Sequence, residues 1–149
     1  MPLMTTQRLT SQNPIRRRGL GYDPYQHAED LGIEVIHRRI RSAAGLWLPD
    51  YNAIVIRSGM RRIHDRSALA HEIGHAVLGH TDDRPLHERR ADVFAAEHLV
   101  LEHEAIAAYP AVSDIHGLAF ELCVSVRILA AWFRRRAVQG VPTCDAWPL

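Results

Sequence analysis

The chain of 149 residues has only two cysteines, Cys123 and Cys144, and they form no CxxC pair. That excludes a disulfide framework and a thioredoxin-like redox motif, and it fits a reducing compartment. No run approaches the ~20 consecutive apolar residues of a membrane span. The first residues, Met-Pro-Leu-Met-Thr-Thr, turn polar and basic without the apolar centre of a signal peptide. Internal repeats and low-complexity segments are also missing. The expectation is a cytoplasmic soluble protein. Net charge is nearly balanced at +1, which hides basic runs at Arg8 and Arg16–Arg18 and at Arg134–Arg136. Those runs are read as solvated segments rather than a nucleic-acid surface.

Hydrophobic residues make up 47% of the chain and charged ones 23%, ordinary for one globular domain of this length. Residues 1–21 lack periodicity and are expected to form a mobile basic arm. Residues 22–138 form one domain, and 139–149 a tail. Asp23 and Pro24 start a short helix as N-cap and first helical residue, and Gly32 stops it. Strands are expected at 33–40, 45–48 and 53–57, the second and third joined by the turn residues 49–52. Together they suggest a small antiparallel sheet. Beyond Met60 the pattern becomes helical, with helices ending near Gly79, spanning 86–101 and 102–108, starting after Ser113 or Asp114, and running from Ser125 to about Val138. Strands first and helices after define an α+β fold: a small N-terminal sheet followed by a helical bundle.

Ten histidines are present, several of them between His64 and His103. His71-Glu72-Ile73-Gly74-His75 reads HExxH. Residues four apart on a helix differ by about 40° in direction, so both imidazoles reach one metal ion from one face. Glu72 lies about 100° round from His71, beside a metal-bound water rather than on the metal. Zinc with three protein ligands keeps a fourth position for water, whose proton a carboxylate can take. Ala70, Gly74 and Ala76 are small enough to let a second helix approach closely.

A third ligand is needed. The HExxHxxGxxH pattern fails, because His80 follows His75 by five residues, about 140° round the helix. His80 is therefore read as a helix-end residue pointing away. The next helix offers Glu88 with Asp92 one turn later. Glu88 is assigned to the metal and Asp92 to the free ring N–H of a ligand, most naturally His71. His87, Glu97 and His98 are nearby competitors. His98 is also considered on the substrate side.

The segment 70–80, AHEIGHAVLGH, followed by Glu88-Arg89-Arg90-Ala91-Asp92-Val93-Phe94-Ala95-Ala96, resembles the ImmA/IrrE family of metallopeptidases. The family's AHExGHxxxxH and ExxAxxFA elements are both present. Residues 118–125 resemble its A-x-x-F-x-V-S element. Leu101 and Glu102 stand where the family commonly has proline. The resemblance covers about residues 25–138 and is strongest at the metal site. It implies a minimal thermolysin-like (gluzincin-like) fold, Zn2+, and peptide cleavage, often by phage or mobile-element proteins acting on a helix-turn-helix repressor. The strand 53–57 is then a candidate to pair with an extended substrate.

Two rival functions are weighed. One is a metal-containing regulator that binds a repressor without cutting, though such a binder would not need Glu72. The other is DNA binding by residues 113–138 as a helix-turn-helix, with Arg127 and Arg134–Arg136 on the second helix. Against it, Leu118, Phe120, Leu122, Val126, Leu129, Ala130 and Phe133 form a packing face. Tyr51, His64, His98, His103 and Tyr109 are oxyanion donors by chemistry only. Trp47, Trp132 and Trp147 are candidates for core or partner packing.

Overall fold

In the computed structural model, residues 21–140 are described. The N-terminal arm before Gly21, Cys144, Trp147 and the end of the tail lie outside them. Asp23 caps α1 (Pro24–Asp30), its carboxylate accepting the Tyr25 N–H, as the Asp-Pro pair predicts. Gly32, at φ +69°, turns the chain into β1 (Glu34–Arg38). β2 (Gly45–Leu48) and β3 (Ala53–Arg57) follow, joined by a 3-10 turn at Pro49–Tyr51 with Asn52 left-handed.

The sheet order is β1-β3-β2. β2 pairs antiparallel with β3, but β1 pairs parallel with it, Glu34 opposite Ala53 and Arg38 opposite Arg57. The expected all-antiparallel sheet is thus corrected to a mixed one. The cause lies in β3, where Ala53, Ile54, Val55 and Ile56 are all buried. A strand apolar on both faces takes the centre, so β2 and β1 are forced to its two edges. The loop after β1 crosses the end of β3 and is tied there by the Arg57 N–H to Ala44 O, 2.8 Å.

Among the described residues five α-helices follow: α2 (Arg62–Val77), α3 (Pro85–Leu99), α4 (Glu102–Ala108), α5 (Ile115–Glu121) and α6 (Val126–Val138). Asp114 caps α5 through the Gly117 N–H at 2.8 Å, and Ser125 caps α6. One apolar cluster joins α1, the sheet and α2 through Ala28, Ile54, Ile56, Leu69 and Ile73. A second joins α2 and α3 to the last helices through Ala70, Ala95, Leu99, Leu118 and Leu129. α2 is thus the spine between the two. Of the expected packing face, Leu118, Leu122, Leu129 and Phe133 are buried, whereas Phe120 is 69% exposed.

Among the described residues no single helix is long and apolar enough to cross a membrane. α5 and α6 together have that length and composition, but they meet at 104° and bury Leu118, Ile128 and Leu129 in the core.

Candidate metal centre

α2 carries His71, Glu72 and His75, all buried against its neighbours. α3 can lie close because Gly74 has no side chain. A Cβ there would stand 3.2 Å from both the Ala91 Cα and its carbonyl oxygen. This close approach brings Glu88, in the first turn of α3, over the two imidazoles. The Nε2 atoms of His71 and His75 are 3.1 Å apart. Glu88 Oε1 lies 3.0 Å from His75 Nε2, and Oε2 3.4 Å from His71 Nε2. In a tetrahedral zinc site with bonds of about 2.0–2.1 Å, adjacent donors stand about 3.3–3.4 Å apart. The two Glu88 oxygens each approach one imidazole at about that separation, and one donor atom from each of His71, His75 and Glu88 lies within 4.8 Å of the others, a group able to hold a metal.

Both rings are held from behind. His71 Nδ1 is 2.8 Å from Asp92 Oδ1, the pairing expected from sequence. His75 Nδ1 is 3.0 Å from His80 Nδ1. With Nε2 lone pairs turned to a cation, each Nδ1 carries the proton and donates, to a carboxylate in one case and to a neutral imidazole in the other.

His80 does not point away, which corrects the reading made from the helical wheel. The helix ends at Val77, and Gly79 is left-handed at φ +68°. The His80 N–H then donates to His75 O at 2.9 Å and the Gly79 N–H to Ala76 O at 3.3 Å, the paired bonds of a Schellman turn. That turn folds His80 back against the last turn of α2, where it is buried and stacked on His87 at 4.0 Å. His87 Nδ1 approaches Asp82 Oδ1 to 2.5 Å, off the direction of a proper hydrogen bond.

Arg127, in the first turn of α6, is a member of the site not anticipated from the sequence. Its Nη2 donates to Glu88 Oε2 at 3.1 Å and its Nε to Asp92 Oδ2 at 3.0 Å. The guanidinium holds together two carboxylates that would otherwise repel. Burial pushes the Asp92 carboxyl up, but hydrogen bonds from His71 and Arg127 outweigh it and leave the group below the usual carboxylate range. Burial lowers the pKa of His75 and of His80, keeping both neutral and hence able to ligate or accept.

Glu72 faces the sheet. β2 has Gly45 opposite it, where a Cβ would stand 2.7 Å from Glu72 Cγ, so only glycine leaves room for the carboxylate. Burial raises the Glu72 pKa, partly offset by His71 and by the Trp47 backbone N–H. All five expected residues, His71, Glu72, His75, Glu88 and Asp92, line one open cleft of about 1090 Å³. Of the oxyanion candidates only His64 lines this cleft. His98 packs instead among Tyr22, His27 and Phe94, its Nδ1 on Phe94 O at 2.8 Å.

A small α+β domain with a HExxH helix, a following ExxxD helix and a cleft between helix and sheet edge is the class of metallopeptidase-like proteins. Within that class the chain belongs to the family described as the IrrE N-terminal-like domain, Peptidase_M78, whose model matches residues 28–132. No curated protein matches it.

Proposed function

We propose that this protein is a zinc-dependent endopeptidase of the cytoplasm that cleaves a helix-turn-helix transcriptional repressor and so relieves repression. The observation that carries the reading is the convergence of His71, His75 and Glu88 donors within 4.8 Å, with Glu72 buried beside them. His71, His75 and Glu88 would hold the ion. When bound, zinc supplies Lewis acidity that makes water nucleophilic near neutral pH and polarises a carbonyl.

The chain's own residues do the rest. Glu72 is the general base, and its raised pKa suits a group that takes and returns a proton. Asp92 and His80 fix the two imidazoles, and Arg127 fixes both carboxylates of α3. β3 is central and has no free edge for substrate, which corrects the pairing expected of residues 53–57. Among the described residues β1 and β2 are the two edges of the sheet, and β2 is the one that lines the metal cleft. Ala44 is bonded to Arg57, so by alternation Gly45 and Trp47 turn their N–H and C=O away from β3, the Trp47 N–H to Glu72 and the other groups outward. A peptide in extended form can add there as a further strand.

The non-cleaving regulator has no use for a buried carboxylate of raised pKa at the ligands. The DNA reading is weakened because three of the four α6 arginines are engaged within the chain, the exposed Arg134 being the fourth. Arg127 holds Glu88 and Asp92, Arg135 meets Glu97 at 3.4 Å, and Arg136 bonds Glu102 and covers Trp132.

The test is Glu72→Gln. Incubated with a candidate helix-turn-helix repressor and read by intact mass, the zinc-loaded wild type should yield two fragments. The variant should bind zinc and repressor yet leave the repressor whole. Cleavage by Glu72→Gln at the wild-type rate would sink the assignment of the base.

A further inference from the structure

We propose that arginines at the end of the sheet form a docking surface for an acidic segment of the peptide substrate, some residues away from the bond cut at the metal centre. The proposal rests on the peptidase reading and adds the substrate's chemical character to it. β1 and β3 run parallel, so both end on the same side, with Arg38 opposite Arg57. The Ser58 N–H donates to Arg38 O at 2.8 Å. Arg57 Nε donates to Ala43 O at 2.9 Å and its Nη2 to Arg41 O at 3.3 Å, drawing the loop after β1 onto this end. α2 begins a few residues later at Arg62, with Arg61 as its N-cap. Thus Arg38, Arg39, Arg41, Arg57, Arg61 and Arg62 are gathered at one end of the sheet, five of them exposed and Arg57 half-buried.

No aspartate or glutamate occurs in residues 35–49 or 51–64. The nearest acid, Asp65, is bonded to Tyr25 and, at 3.0 Å, to His37. Among the described residues none of the six arginines is in an ion pair with a carboxylate. The charge is also badly placed for stability. Arg61 makes no side-chain cap, and cations at a helix N-terminus oppose the macrodipole. Arg57 is spent on the loop carbonyls, but a fold that keeps five exposed, uncompensated like charges beside it has those five free for a partner.

Position identifies the partner as a peptide. Arg57 lines the metal cleft together with Ser42, Ala43, Ala44 and His64, so the patch is where the cleft and the free edge of β2 lead. An extended chain paired to β2 continues onto it. Guanidinium groups bind carboxylates through two parallel hydrogen bonds. No Phe, Trp or Tyr lies in residues 37–43 or 57–64 to stack nucleobases, as single-stranded nucleic acid would require.

The test is fluorescence anisotropy of a fluorescein-labelled hexaglutamate peptide with the full-length Glu72→Gln protein, which keeps binding separate from turnover. Loss of cleavage activity in the repressor assay and loss of binding here are then independent results. The peptide should bind, weaken at least about tenfold between 50 and 300 mM salt, and weaken at least about tenfold in R38Q/R39Q/R61Q/R62Q. The corresponding fourfold lysine variant keeps the charge but not the two-pronged geometry, so it should bind more weakly than wild type yet clearly better than the glutamine variant, which excludes misfolding as the cause. Three results would overturn the proposal: a hexaglutamine peptide binding equally well, the glutamine variant binding undiminished, or duplex DNA of equal charge binding more tightly than the peptide through the same four arginines.

Discussion

Gly74→Ala should damage the metal centre without touching a ligand. In an ordinary exposed helix interior this change stabilises by about 1 kcal/mol, through propensity and a less flexible unfolded chain. Here the new methyl meets Phe94 Cδ1 at 3.1 Å, Ala91 Cα at 3.2 Å and Ala91 O at 3.2 Å. The phenyl ring can tilt, but the Ala91 backbone cannot rotate away. α3 must back off by roughly 0.3 Å or more to restore a normal carbon contact. Ala91 follows Glu88 by three residues and adjoins Asp92, so the shift passes directly to the third ligand and to the carboxylate behind His71. Metal–ligand distances tolerate only about ±0.2 Å. Overpacking of this kind costs about 1–3 kcal/mol, enough to cancel or exceed the propensity gain. Zinc affinity, measured by competition with a chromophoric chelator, should fall at least about tenfold, or about 1.4 kcal/mol. Urea unfolding of the metal-stripped protein should show a loss of up to about 2 kcal/mol. A variant as stable as wild type with unchanged zinc affinity would refute the claim that close α2–α3 packing places Glu88.

Two further substitutions test parts of the account away from the ligands. Tyr25 donates to Asp65, and burial followed by that bond raises its pKa. A group raised in the folded state contributes stability that is intact below its unfolded pKa of about 10 and is lost as pH rises beyond it. Tyr25→Phe should cost about 1 kcal/mol at pH 7 and flatten the fall in stability above pH ~10; parallel pH curves for the two proteins would contradict this. Arg61→Ser supplies the missing cap of α2 and removes a cation from its positive end, so the urea midpoint should rise by the equivalent of about 1 kcal/mol. No gain would show that Arg61 is not opposing the helix dipole.

What could be read in the sequence was local. Asp23-Pro24, Ser113-Asp114 and Ser125 announce helix starts because a cap needs only a side-chain oxygen and the next turn's N–H groups; Asp23 and Ser125 are found as caps, and of the second pair Asp114 is the one. HExxH and ExxxD each need one helix and one period. The Asp92–His71 bond also follows, once two helices are packed face to face. Strand order was not legible by adjacency, although four buried residues in a row in β3 were a clue to a central position. His80 was misread because a helical wheel continues past Gly79, where the chain does not. Arg127 lies 35 residues from Asp92 in sequence, and nothing local to α6 marks it as the partner of two acids on α3. The arginine patch needed the parallel register of β1 and β3, which brings together two segments that look unremarkable alone.

The most direct test of the central claim is the metal content of the purified protein beside that of Glu88→Ala, each dialysed against a weak chelator and assayed by elemental mass spectrometry. A cation bound jointly by two imidazoles of α2 and one carboxylate of α3 predicts one zinc per wild-type chain and little or none in the variant. Wild-type protein free of zinc, or a variant that holds a full equivalent, would contradict it.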